Sequence, residues 1–270
     1  MYVCIYVYMF VCMYVFIYFC IYVCFYGKNF QIKLMNYRSM IKLVPNRMML
    51  VVIPRIAAVL FILLQILGMQ VYPGGTMYDA STEGYSFSMN FFSDMGAYAA
   101  RNGEPNYLSM MIFAISLTIV GITFALYYLI LPKLFGNDRV NHIIASIGSL
   151  FAIGGSVCMI GTGFTPSDMV FAPHIFFANN IFHCFLVTAL LYTLVIFRSN
   201  KLKKRYAIGY AMFFISIFIY VAILQYGPSA NTGETALIFQ VLSQKMIVIV
   251  FCCSVLHQTF GLSRSGILES

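Results

Sequence analysis

Long apolar runs alternate with short polar connections over most of this chain. Six runs lie at about residues 49–71, 107–131, 141–164, 172–197, 206–226 and 236–260. A helix that crosses a bilayer needs about 20 mostly apolar residues, because a backbone group without a hydrogen bond is costly in hydrocarbon. Each run meets this requirement. The pattern therefore predicts an all-α integral membrane protein, a bundle of six transmembrane helices.

Polar connections at 72–106, 132–140, 165–171, 198–205 and 227–235 separate the six runs. Four of them are too short to hold a domain, so residues 35–270 are predicted to form one six-span membrane domain. The longest connection, 72–106, has the length to form a small cap on the bundle.

Basic residues are concentrated on one side of the predicted spans. This side consists of the segment before the first span, the second and fourth connections and the C-terminal tail. Cytoplasmic loops of membrane proteins are rich in Lys and Arg. The distribution therefore predicts an N-in/C-in topology, with both termini in the cytoplasm. The basic residues on this side are Lys28, Lys33, Arg38, Lys42, Arg47, Arg55, Lys133, Arg139, Arg198, Lys201, Lys203, Lys204, Arg205 and Arg264.

Composition agrees with a membrane protein, since 61% of the residues are hydrophobic and 9% are charged. The net charge of +8 is explained by the basic residues on the predicted cytoplasmic side. A nucleic-acid patch is the competing interpretation of the basic run 201–205, but membrane spans flank it closely on both sides. We therefore expect membrane lipid and no nucleic acid as a partner, with anionic headgroups near this run. A homo-oligomer is compatible with the sequence, and no cofactor is predicted.

The first 26 residues repeat with a period of four: MYVC, IYVY, MFVC, MYVF, IYFC, IYVC. Twelve bases encode each unit, and ATGTATGTATGT is itself a repeated four-base word. Residues 1–34 are therefore predicted to be a non-native extension, a translated tandem DNA repeat with a linker. The expected start is then Met35, Met40 or Met48. A seventh span is the alternative, because the run is long and uncharged enough to insert.

Polar residues at membrane depth are candidates for function, because they are costly there. In the fourth run, Asn179, Asn180 and His183 share one helix face by their spacing. In the sixth run, Lys245 has two explanations. Its long stem can carry the charge to the interface, or it belongs to a polar cluster that faces the fourth run.

Carboxylates and a histidine are expected at the outer mouth of the bundle. Asp94 follows Ser93 in the first connection, Asp168 lies in the third, and His174 opens the fourth run. Capping and pairing between loops is one explanation for these residues. A ligand or proton site is a second. A metal site of Asp94, Asp168 and His174 is a third, because carboxylate and imidazole suit zinc.

Two segments resemble a known group of membrane proteins. They are Ser93-Asp94-Met95-Gly96, followed by Gly103-Glu104-Pro105-Asn106, and Thr165-Pro166-Ser167-Asp168, followed by His174. Together they resemble the prokaryotic membrane family called domain of unknown function nine-nine-eight, and the wider DRAM-like six-span proteins. The resemblance covers about residues 50–260 and implies a six-helix bundle without an established activity. The family-like positions are Ser93, Asp94, Gly96, Pro105, Asn106, Asp168 and His174.

A second resemblance concerns intramembrane hydrolases of the alkaline ceramidase and adiponectin-receptor group. These enzymes bind zinc through three histidines and carry an HxxxH pair in their last span. The last span here has only His257, and the chain has no HxxxH. This departure weakens the hydrolase hypothesis.

The sequence favours a non-enzymatic membrane protein with an outward-facing polar vestibule that binds or passes a lipid or small solute. The vestibule is predicted to be lined by Ser93, Asp94, Asp168, His174, Asn180, His183 and Lys245. The alternatives are a metal-dependent intramembrane hydrolase that uses the outer-mouth Asp and His residues, and a membrane scaffold that acts through the basic loop 198–205.

Overall fold

The computed structural model describes residues 46–265 and 268. Within this part of the chain, six helices are long and apolar enough to cross a membrane, and no strand is found. This confirms the predicted all-helical, multi-pass membrane architecture. The predicted repeat at 1–26, its alternative as a seventh span and the start sites Met35 and Met40 lie outside the described residues. The helices are α1 (Ile53–Gln70), α2 (Tyr107–Ile130), α3 (Arg139–Gly163), α4 (Phe171–Arg198), α5 (Arg205–Tyr226) and α6 (Glu234–Ser263).

Short irregular turns extend two of the helices. A π-helical turn at Met48–Val52 leads into α1, so the first apolar stretch runs over Met48–Gln70. A 3₁₀ turn at Leu131–Phe135 continues α2 to Phe135. At the start of α3, the Asp138 carboxylate accepts hydrogen bonds from the free amides of Val140 and Asn141. Such an acceptor satisfies donors that a helix N-terminus cannot pair within itself.

The helices pack in chain order, each against the next, and α6 returns to α1 to close a ring. At the closing seam the Arg55 guanidinium on α1 donates to the hydroxyl of Thr259 on α6, at 3.0 Å. The rings of Phe124, Phe185 and Phe251 meet in the middle, with centroids 5.1 to 6.3 Å apart. This aromatic cluster fills the centre of the bundle.

Small residues let neighbouring helices approach closely, as is common where van der Waals contact drives helix association in lipid. A Cβ atom added at Gly121 of α2 would lie 2.8 Å from the Ser156 carbonyl oxygen of α3. One added at Gly155 of α3 would lie 2.9 Å from the Phe185 ring of α4. The spacing of α2, α3 and α4 therefore depends on residues without side chains.

Residues 71–106 fold into a cap over one end of the bundle. The cap contains a 3₁₀ turn at Phe92–Gly96 and two isolated antiparallel bridges, Gly74 with Glu83 and Ala99 with Pro105. Met95 packs with Phe113 of α2 in a small core. The Asn106 amide donates to the carbonyl oxygens of residues 95 and 97, at 3.0 and 2.9 Å, and so fixes the end of the 3₁₀ turn.

The two ends of the bundle differ in charge. The end opposite the cap, here called the basic end, carries Arg47, Arg55, Lys133, Arg139, Arg198, Lys201, Lys203, Lys204, Arg205 and Arg264, with Asp138 as its acidic residue among those described. The cap end carries Arg101 and Lys245 together with Asp79, Glu83, Asp94, Glu104, Asp168 and Glu234. Positive charge is therefore concentrated at one end of the bundle and negative charge at the other.

We expect Gly121→Val to lower the stability of the bundle by about 1–3 kcal/mol, because overpacking forces neighbouring backbone apart. Thermal unfolding of the purified protein in detergent measures the change. Gly136→Ala is the control, since a Cβ there meets only the Lys133 carbonyl oxygen, at 3.4 Å. Equal unfolding temperatures for the two variants would contradict the close approach of α2 and α3.

Candidate functional site

The Asp94 carboxylate organises the centre of the cap. Its Oδ1 accepts from the Arg101 guanidinium, at 3.1 and 2.8 Å, and its Oδ2 accepts from the Phe91 amide, at 2.8 Å. Asp94 is buried, whereas the Arg101 side chain is 40% exposed. Burial works against the charge of Arg101, but the attraction and hydrogen bonds of Asp94 outweigh it and raise the pKa of Arg101. Arg101 therefore stays charged, and its ion pair with Asp94 ties two parts of the cap together.

Two tyrosines support this centre from the cap itself. The Tyr72 hydroxyl accepts from the Arg101 amide, at 3.0 Å, and the Tyr85 hydroxyl donates to the Asn90 carbonyl oxygen, at 2.8 Å. Burial raises the pKa of Tyr72 to about 12, against a lowering by the bond from Arg101. Burial also raises the pKa of Tyr85. Both phenols therefore stay protonated at neutral pH, and each serves as a hydrogen-bonding group without adding charge.

Lys245 joins α6 to the cap. Its Nζ donates to the Asn90 carbonyl oxygen, at 2.6 Å, and lies 5.0 to 5.3 Å from the ring centroids of Tyr85, Phe87 and Phe92. A cation held over aromatic faces is attracted by their electron density. Lys245 is only 2% exposed, so it does not extend to solvent. Its amino group is held in an aromatic cage made by the cap.

Gln244, the residue before Lys245, makes a second connection from α6. Its Oε1 accepts from the Phe92 amide, at 2.9 Å. Phe92 is therefore held at its backbone by Gln244, and its ring forms one wall of the Lys245 cage. Two consecutive residues of α6 fix the same turn of the cap.

Asp168 connects the turn between α3 and α4 to the cap. Its two carboxylate oxygens accept from the amides of Tyr98 and Ala99, each at 2.9 Å. Hydrogen bonds to an ionised acceptor are stronger than those between neutral groups. The Asp168 carboxylate therefore connects the turn between α3 and α4 to the backbone of the cap.

The remaining predicted residues bind backbone near their own positions. His174 Nδ1 is 2.6 Å from the Thr165 carbonyl oxygen and secures the turn before α4. Asn180 donates to the Phe176 carbonyl oxygen, and His183 Nδ1 pairs with the Asn179 carbonyl oxygen, both within α4. The second ring nitrogen of His183 lies 3.3 Å from the Gln225 side chain of α5. Lys245 and Asp94 thus share one cluster, whereas Asn180 and His183 belong to a separate polar face.

Over residues 46–265, no group of three or more His, Cys, Asp or Glu side chains lies in an arrangement that could hold a metal ion. The metal candidates Asp94, Asp168 and His174 bind Arg101, two cap amides and a carbonyl oxygen respectively.

An apolar cavity of about 110 Å³ lies beneath the cap, inside the ring of helices. Phe92 and Ser93 of the cap cover it, and the aromatic cluster of Phe124, Phe185 and Phe251 forms its floor. Every helix contributes to its wall. The other lining residues are Ala58, Phe61, Gln65, Phe113, Leu117, Val120, Met159, Thr162, Ala178, Ile181, Phe182, Ile217, Gln244, Ile247, Val248 and Cys252.

The short motif Ser-Asp-x-Gly receives a structural explanation from this arrangement. Ser93 borders the cavity, and Asp94 holds Arg101. Gly96 packs on Phe113 of α2, where an added Cβ atom would lie 2.5 Å from the ring. The motif therefore fits the cap to the bundle beside the cavity.

Sequence reasoning missed three contributors to the site: Asn90, Gln65 and the cage of Tyr85, Phe87 and Phe92. It also gave Arg101 no partner. Arg101 carried a signal, because a basic residue on the acidic side of the molecule requires an explanation. The position of Gln65 was a second signal, because it is the one polar amide side chain within the apolar part of α1. Asn90 and the aromatic residues lie in a connection without periodicity, where no pattern distinguishes them.

The fold and the cavity define a multi-pass membrane protein with an internal apolar chamber under a polar cap. Comparisons of the chain with protein-family models, curated proteins and solved structures gave no match.

We expect Asp168→Asn to loosen the cap, because a neutral amide offers one oxygen where the carboxylate offers two. Hydrogen exchange of the peptide that contains residues 98 and 99 measures the effect. Loss of a charge-assisted bond worth about 1.4 kcal/mol speeds exchange about tenfold. Asp79→Asn is the control, since the Asp79 carboxylate accepts from the nearby Ser81 and Thr82 and not from residues 98 and 99. Unchanged exchange at residues 98 and 99 would show that Asp168 does not hold the cap.

Proposed function

We propose that this protein is a non-enzymatic membrane protein that binds a small apolar or lipid-like ligand in the cavity beneath its cap. The observation that carries the proposal is the composition of the cavity wall, which is apolar except for a few polar side chains. Small-molecule sites are typically concave and apolar, with few polar groups that set the orientation. An apolar cavity of similar size, about 150 Å³, stays dry and takes up benzene or xenon.

The polar residues act in this proposal mainly through the cap. Asp94, Asp168 and Lys245 hold the cap in position by the contacts described above, and Ser93 faces the ligand. His174 keeps the adjoining turn in place. Asn180 and His183 do not line the cavity, so we assign them to helix packing between α4 and α5. The cap thus separates the ligand from water while the helices separate it from lipid.

A reporter for the cavity is available, because the chain contains no tryptophan. Phe182→Trp places one indole in the cavity wall, and Phe218→Trp places one on the exposed, lipid-facing side of α5. Brominated six-carbon chains serve as probes, since they are short enough for the cavity and bromine quenches a nearby indole. We expect saturable quenching of Phe182→Trp by at least one of these chains. For Phe218→Trp we expect only the gradual quenching that micelle partitioning produces.

Adding Val248→Phe to the Phe182→Trp reporter tests whether binding occurs in the cavity. The larger ring occupies the space of the ligand, so we expect the saturable phase to disappear. Ile249→Phe is the matched control, because the neighbouring residue on α6 is 51% exposed and faces away from the cavity. Thermal unfolding confirms that both variants fold. Saturable quenching that survives Val248→Phe, or its absence from the parent reporter with every chain, would refute the proposed function.

We further propose that the basic end faces the cytoplasm, with both termini on that side. The opposite charges of the two ends support this N-in/C-in topology by the positive-inside rule.

A membrane-impermeant thiol reagent applied to intact cells tests the topology. We expect Ser81→Cys, in the cap, to react, because the cap is exposed outside the cell. We expect Lys203→Cys, at the basic end, to react only after the membrane is permeabilised. Both positions are exposed, and the parent chain gives the background from the natural cysteines. The reverse pattern of labelling would invert the proposed topology.

A further inference from the structure

Gln65 places a strongly polar group in the wall of an otherwise apolar cavity. It lies five residues before the end of α1 and is 4% exposed. At 1.5 Å per residue it is about 7 Å below the cap end of its helix. A buried amide is costly unless its hydrogen bonds are made. The partners of Gln65 therefore indicate what the cavity is suited to hold.

The orientation of the Gln65 amide follows from its neighbour. Gln65 Nε2 lies 2.6 Å from the Ser116 hydroxyl oxygen, and that hydroxyl donates its proton to the Phe113 carbonyl oxygen, at 2.8 Å. Because a hydroxyl has one proton to donate, the Ser116 oxygen can only accept from Gln65. The nitrogen of the amide must therefore face Ser116, which leaves Oε1 as the unused atom.

Gln65 Oε1 is buried and has no hydrogen-bond partner. A buried acceptor without a donor is unfavourable relative to one that is satisfied. Thr162 adds a second acceptor to the cavity wall, since its hydroxyl proton is donated to the Cys158 carbonyl oxygen, at 2.8 Å. Two of the residues that line the cavity therefore carry an acceptor with lone pairs to spare. A ligand that satisfies them must donate a hydrogen bond.

Charge in the ligand is disfavoured by the same wall. No Asp, Glu, Lys, Arg or His is among the lining residues. The charged groups at the cap end already have partners. Asp94 pairs with Arg101. Lys245 of α6 donates to the Asn90 carbonyl oxygen and lies over three aromatic rings. An ionised carboxylate or amine would enter without a counter-charge, at a cost of several kcal/mol.

We propose that the ligand is a neutral aliphatic alcohol, a short chain that ends in an uncharged hydroxyl. This inference rests on the proposed function and specifies its ligand class. The hydroxyl donates to Gln65 Oε1 near the cap. The chain extends from there through the apolar part of the cavity toward the aromatic cluster of Phe124, Phe185 and Phe251. One added hydrogen bond to a buried acceptor strengthens binding about tenfold.

Three probes of equal chain length, short enough for a cavity of about 110 Å³, test the head group: 6-bromo-1-hexanol, 1-bromohexane and 6-bromohexanoate at pH 8, where the acid is ionised. Each is titrated against Phe182→Trp, with concentrations expressed as mole fraction in the micelle and with Phe218→Trp correcting for partitioning. We expect the alcohol to bind about tenfold more tightly than the bromoalkane. We expect the carboxylate to bind most weakly.

Gln65→Met on the reporter background removes the acceptor and keeps an unbranched side chain of similar length. We expect the ratio of alcohol to bromoalkane affinity to fall from about ten to about one. Gln65→Leu serves as a second variant, and the ratio is independent of a general change in stability. A ratio near one in the parent, a ratio unchanged in both variants, or equal binding of the carboxylate overturns this inference alone. Absence of saturable quenching by all three probes overturns the proposed function as well.

Discussion

The Asn90 carbonyl oxygen is the atom on which the cap end depends. It accepts hydrogen bonds from Lys245 of α6 and from Tyr85 of the cap, while the side-chain Nδ2 of Asn90 donates to the Gly75 carbonyl oxygen. One residue therefore links the last helix, the middle of the cap and the start of the cap. Asn90 is fully buried, so these hydrogen bonds are shielded from water. A buried polar group that loses its hydrogen bond there is costly. The cap also packs Tyr72, Met95 and Ala100 against Phe113 and Leu117 of α2, so this polar link and apolar packing together set where it lies.

Gly75 shows how tightly the cap is constrained around this link. Its φ of +82° lies in the left-handed region, and an added Cβ atom would come within 2.3 Å of the Asn102 nitrogen. Both observations require glycine. The close approach brings residue 75 against the segment that carries Arg101, which in turn holds Asp94. Backbone geometry and ion pairing therefore support the same arrangement over the cavity.

The lengths of the apolar runs were sufficient to predict the six helices, because a helix that crosses a membrane requires about 20 mostly apolar residues. With the π-helical turn counted as part of the first span, the bounds of five spans agree to within three residues. The remaining span, α2, continues beyond Ile130 in a 3₁₀ turn that no pattern in the sequence marks. The cap was predicted only as a length of chain. Its structure depends on contacts between residues far apart in sequence, such as Gln244 with Phe92 and Asp168 with Tyr98. The sequence predicted a polar vestibule, and of its seven predicted residues only Ser93 is among those that line the apolar cavity. The lining residues come from all six helices, and no pattern in the sequence indicates which apolar positions face one another across the bundle.

The order of the ring has a consequence for biogenesis. Because each helix packs against the one before it, a chain emerging from the ribosome can assemble its helices one at a time. The cap is synthesised early, between α1 and α2, but Gln244 and Lys245 arrive with the last helix. Until then the aromatic cage has no cation and the Phe92 amide lacks its acceptor. Completion of α6 therefore closes the ring and seats the cap in one late step, and a truncated chain would present an unfinished cap to cellular quality control.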